Sequence, residues 1–114
     1  LFELIGTPGK DYDTPQFRRN MRAYIKRGGD DGGFLRQMAA IIGSKNRKEL
    51  LKSINTQTLI IHGDIDPLIK VKNAYSAHKL IKSSHLEIVD DMGHLLDEES
   101  YAKFQNQLIT FLRK

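Results

Sequence analysis

The sequence predicts an α/β chain, with helices over its first half and then a strand-helix-strand-helix second half. Two apolar runs carry this reading. Residues 58–62 (Thr-Leu-Ile-Ile-His) and 86–89 (Leu-Glu-Ile-Val) are rich in β-branched side chains, and each stops at a polar, turn-forming cluster. Between them Val71, Ala74, Tyr75, His78 and Ile81 recur at helical spacing, a β-α-β unit of ordinary crossover size. The first run is apolar on both faces, as in a buried parallel strand.

From the start, residues 1–5 form a short apolar stub compatible with a strand end or a helix tail, followed by the turn cluster Gly6-Thr7-Pro8-Gly9. Thr14-Pro15 opens a helix, with Thr as N-cap and Pro in the first turn. Phe17, Met21, Tyr24 and Ile25 line one face, and the helix stops at Gly28-Gly29. The run Gly28-Gly29-Asp30-Asp31-Gly32-Gly33 reads as a hinge: no strand precedes it, and its two acids would repel a phosphate. A second helix carries Phe34, Met38, Ile41 and Ile42 and closes at Gly43. Ser44 is expected to cap a third, over residues 45–54, with Leu50, Leu51 and Ile54 inward. The last helix starts at Asp97-Glu98-Glu99, acids that suit its positive end. It packs through Tyr101, Phe104, Leu108, Ile109 and Leu112.

Composition narrows the function classes. An apolar fraction of 39% and a charged fraction of 28% fit a globular chain, and 114 residues make one domain or part of one. The net charge of +4 is not a nucleic-acid footprint, because the cations are interleaved with acids, as in Lys45-Asn46-Arg47-Lys48-Glu49, without stacking aromatics. No apolar run reaches membrane-span length, so no membrane partner is expected. The absence of Cys and of a signal-peptide pattern points to a cytoplasmic setting. Leu1 in place of Met is expected to mark a fragment or processed piece.

The chemistry lies at the two strand ends, Gly63-Asp64-Ile65-Asp66-Pro67 and Asp91-Met92-Gly93-His94. Clusters just past consecutive parallel strands share the carboxyl edge of the sheet. A carboxylate there can accept a hydrogen bond from one imidazole nitrogen, fix the tautomer and stabilise an imidazolium, leaving the other nitrogen to take a proton from a nucleophile. Asp66 and His94 would supply two thirds of such a triad. Asp64, Asp66 and His94 would also suit a divalent ion, but the order and placement favour the triad, and no metal or cofactor is expected. His62, His78 and His85 are assigned no chemistry.

With these residues in view, residues 58–114 resemble the C-terminal part of the α/β-hydrolase fold. Gly63-Asp64-Ile65-Asp66 matches the family's Gly-x-x-Asp, and Gly93-His94 its Gly-His pair, in the family's order of acid before His. The resemblance implies that Asp66, rather than Asp64, is the triad acid and His94 the base. Upstream, residues 34–41 and 46–51 are similar to the stretch joining a helical cap to the core in bacterial ester hydrolases, among them methyl esterases of polyketide esters. Residues 1–54 would then be a cap-like segment with its connection, and residues 55–114 the β-α-β-α part of the core. Two loop positions depart from the family pattern, Gln57 for the usual Pro and Asp91 for a common Gly. The family's nucleophile elbow, Gly-x-Ser-x-Gly, does not occur in these 114 residues.

The expected activity is hydrolysis of an ester or similar acyl bond of a small molecule, with a Ser supplied from outside this chain. A haloalkane dehalogenase or haloperoxidase would share the acid and His positions, and a non-enzymatic binding module could retain the same elements. Two strands leave a sheet edge exposed, so self-association into a homo-oligomer is a further expectation.

Overall fold

The computed structural model describes residues 2–28, 32–44 and 46–113. Their elements follow in the order α1 (Phe2–Ile5), α2 (Pro15–Lys26), α3 (Gly33–Gly43), α4 (Lys48–Lys52), β1 (Thr58–Gly63), α5 (Lys72–Leu80), β2 (Ser84–Val89) and α6 (Glu98–Leu112). They form two compact units, residues 1–10 with 48–114, and residues 11–47.

The unit of residues 11–47 contains α2 and α3. Thr14 caps α2 as its position predicts, its Oγ1 accepting from Phe17 N–H at 3.1 Å. Arg18 clamps Asp13 with two bonds of 2.7 and 2.6 Å, an exposed pair of small energetic weight. The expected apolar stripes do not form a core here: Tyr24, Ile25, Met38, Ile41 and Ile42 are exposed, and Phe17 and Met21 only half-buried. Residues 29–31 of the expected hinge, Lys45 and the side chain of Phe34 lie outside the described residues.

The other unit carries the sheet. Strands β1 and β2 pair in parallel from Thr58↔Ser84 to Gly63↔Val89. Side chains alternate along each strand, so Leu59, Ile61, His85, Glu87 and Val89 share one face. Helix α6 covers that face. Val89, Met92 and Phe104 form its buried cluster with Ile61 and Leu108 against it, Gln107 bonds Glu87 at 3.2 Å, and Phe111 meets the His85 ring edge-on. On the opposite face, α5 places His78 Nδ1 2.9 Å from Ser84 Oγ.

Of the two forms left open for the stub, the structure has the helix, as α1. Two sequence expectations change. Ser44 is not the cap of a helix over residues 45–54: its hydroxyl donates back to Ala40 O at 2.7 Å, completing α3, and α4 spans only five residues. β1 is half-buried along most of its length, and Tyr101, Ile109 and Leu112 of α6 remain exposed. For the strand and for α6 the reason is shared: one helix per face of a two-stranded sheet covers only a narrow stripe. The acidic start of α6 is as expected, with Asp97 accepting from Ser100 N–H at 2.8 Å.

Candidate active site

Strand β1 runs without a spacer into the loop of residues 64–70, which closes around one side chain. Oδ1 of Asp66 accepts from the N–H groups of Leu68 and Ile69, both at 2.8 Å. This is the local turn that an Asp-Pro start favours. It leaves Asp66 only 6% exposed, with both oxygens engaged, because Oδ2 lies 2.8 Å from His94 Nδ1. Burial pushes the Asp66 carboxyl up. Hydrogen bonds from the Ile69 backbone, the His94 ring and the Leu68 backbone outweigh that, and hold it below its ordinary value. Ionised Asp66 therefore faces Nδ1 as the donor, an arrangement that in the neutral ring leaves the lone pair on Nε2. The His94 side chain is 37% exposed and reachable from outside.

His94 owes its place to backbone packing. Past β2, Asp91 turns with φ 56°, in the left-handed region that Asp tolerates better than most side chains. This is the position where the family resemblance expects Gly, so the departure costs about 1 kcal/mol rather than the loop. Met92 then anchors in the core. A Cβ on Gly63 would lie 2.0 Å from Met92 O, and one on Gly93 would lie 2.3 Å from the Gly6 carbonyl carbon and 2.4 Å from Thr7 N. Gly93 N–H donates to Thr7 Oγ1 at 3.0 Å, and His94 N–H to Ile5 O at 2.9 Å. The His loop is thus layered between the end of β1 and residues 5–7. Lys10 secures that segment to the start of α6, 2.9 Å from Asp97 and 2.7 Å from Glu99.

The structure brings Asp66 and His94 together and leaves Asp64 exposed beside them. It also adds a residue assigned no chemistry from sequence. His62, on β1, has Nε2 2.8 Å from Ile69 O and 3.6 Å from Asp66 Oδ2. Its signal was its spacing: a strand-end side chain four residues before an acid can reach the loop that follows. His78 bonds Ser84, and His85 is exposed on β2. Among the described residues, no three His, Asp or Glu side chains are grouped to hold a metal ion. The hydroxyls of Ser44, Ser53, Ser76, Ser83 and Ser84 donate to backbone carbonyls, and Ser100 bonds the Asp97 side chain. Among the described residues, no helix is long and apolar enough to cross a membrane.

No family model matches the chain, and no curated protein does. Solved structures do. An esterase (EaEST) from Exiguobacterium antarcticum superposes with a TM-score of 0.74 at 22% identity, over 98% of this chain and 40% of its own. A serine hydrolase involved in carbazole degradation (CarC) gives 0.65 at 20% identity, over 97% of this chain and 44% of its own. A mutant of a meta-cleavage product hydrolase (CumD) gives 0.57 at 22% identity, over 89% of this chain and 34% of its own. The chain thus spans less than half the length of each. At these identities the likeness speaks for the fold. All three are α/β-hydrolases, and this chain has the fold of the C-terminal part of that superfamily.

Proposed function

We propose that the complete protein hydrolyses an ester or similar acyl bond of a small molecule through a Ser-Asp-His triad, with the Ser outside this chain. The observation that carries the reading is His94 Nδ1 at 2.8 Å from a buried carboxylate whose other oxygen is already fixed by two backbone N–H groups. Asp66 holds the ring in the tautomer with a free Nε2. That nitrogen takes the proton as the Ser oxygen attacks the acyl carbon, Asp66 stabilises the imidazolium, and the proton passes to the leaving alcohol. Water, activated by the same nitrogen, releases the acid. The structural neighbours, an esterase and two hydrolases, support this class of reaction. In this reading the helical segment within residues 1–54 serves as cap, no cofactor takes part, and the setting is the bacterial cytoplasm. Association of the isolated chain into a homo-oligomer through the outer edge of β1 belongs to the same proposal.

The test is the coding sequence upstream of Leu1. An in-frame Gly-x-Ser-x-Gly elbow following a predicted strand is the expected result. Asp in place of that Ser would move the chemistry to dehalogenation or epoxide opening, and a translation start near Leu1 would favour a binding module. We also expect the isolated 114-residue chain to show no ester turnover, since a base and its orienter without a nucleophile leave acyl transfer without its attacking group. Turnover by the pure chain that disappears in His94→Ala would contradict this.

A further inference from the structure

We infer that His62 is a positioning residue for the Asp66–His94 pair, acting through the carbonyl of Ile69. The inference rests on the hydrolase reading for its functional meaning, but the contact network stands independently. Ile69 O can only accept, so the 2.8 Å contact fixes His62 as the tautomer with its proton on Nε2. Ile69 is held at both ends, its carbonyl by His62 and its N–H by Asp66 Oδ1 at 2.8 Å. The peptide groups of Leu68 and Ile69 set the rotation of the carboxylate, and Oδ2 is thereby aimed at His94 Nδ1. The Nε2–H edge of His62 also sits 3.6 Å from that Oδ2, too far for a second hydrogen bond.

The geometry suits a rigid mount. His62 pairs with Ile88 in the β1–β2 register, so its backbone is fixed by the sheet while the acid loop is not. Its side chain is 15% exposed, which removes most of the competing water. A strand residue therefore lends the loop a fixed point beside the acid. Among the described residues, no other β1 side chain hydrogen-bonds residues 66–69, so removing this bond frees the loop rather than shifting it.

The test is imidazole and amide nuclear magnetic resonance on the 114-residue chain and its variants. In the wild type, His62 should show the Nε2–H tautomer and His94 a slowly exchanging Nδ1 proton. His62→Phe keeps a ring in the slot without the donor. Amide exchange at Leu68 and Ile69 should accelerate about tenfold or more, and the His94 Nδ1 proton should be lost, while β2 amides stay protected. His62→Gln, whose amide nitrogen can replace Nε2, should restore both signals. A wild-type His62 protonated on Nδ1 instead, unchanged signals in His62→Phe, or no recovery in a folded His62→Gln would each overturn the inference. Should His62→Phe not fold, the wild-type tautomer and the Gln variant decide the matter. These readouts concern the loop alone, so a result against His62 leaves the hydrolase reading standing, whereas failure of that reading would appear in the activity of the complete protein.

Discussion

Gly63→Ala should destabilise the sheet-bearing unit by about 3 kcal/mol or more, read as a fall in the urea midpoint of the 114-residue chain. A methyl group at this position would lie 2.0 Å from Met92 O and 2.6 Å from Met92 C. Both are backbone atoms, so no side chain can swing aside to make room. Either β1 must bend away from β2 or the loop carrying Met92 and His94 must lift out of the core, and the second breaks the contact with Asp66. Against a total stability of about 5–15 kcal/mol this is a large fraction. Gly43→Ala is the control: nothing lies within 4 Å of that site at the end of α3. It should leave stability unchanged or raise it by up to about 1 kcal/mol. A Gly63→Ala midpoint equal to that of the control would mean the His loop does not pack on β1 as described.

Asp66→Asn should lower kcat of the complete protein by about 10³–10⁴-fold with little change in KM. The reason is a reversal of donors. An Asn carbonyl can still accept from Leu68 and Ile69 N–H, which turns its NH₂ toward His94. The ring must then present Nδ1 as acceptor and carry its proton on Nε2, the nitrogen the reaction needs free. The same substitution changes the acid limb of stability. The Asp66 carboxyl lies lower in the folded chain than in the unfolded one. Its contribution is therefore present above the unfolded value and is lost as pH falls through the folded value. Asp97 is also held below its ordinary value: burial raises it, but the Ser100 backbone bond and Lys10 outweigh that. The Asn variant should accordingly show a shallower fall in stability with acid, not a flat one. An unchanged kcat would remove Asp66 from the mechanism.

The features that local chemistry determines are legible in the sequence. β1 and β2 can be read from β-branched runs that stop at Gly and carboxylates, the cap Thr14 from an oxygen side chain ahead of apolar periodicity, and the start of α6 from its acids. Asp66 and His94 fall at one edge because both follow strands of a single β-α-β unit. What cannot be read depends on distance along the chain. Thr7 meets Gly93 across 86 residues, and nothing in Gly6-Thr7 says that its backbone will press on a second glycine. Ser44 departs from its expected role because a Ser between two helical patterns can serve either, and the carbonyl of Ala40 is the nearer partner. The largely exposed stripe residues described in α2 and α3 show the limit of periodicity, which identifies the apolar face of a helix but not what covers it.

The most direct measurement is the hydrolysis of a small activated ester, such as p-nitrophenyl acetate, by the complete protein beside its His94→Ala variant. With His94 as base, the wild type should turn over the ester and the variant should fall by about 10⁴-fold or more. A variant within about tenfold of the wild type would contradict the assignment of Asp66 and His94 as the acid and base of a hydrolytic triad.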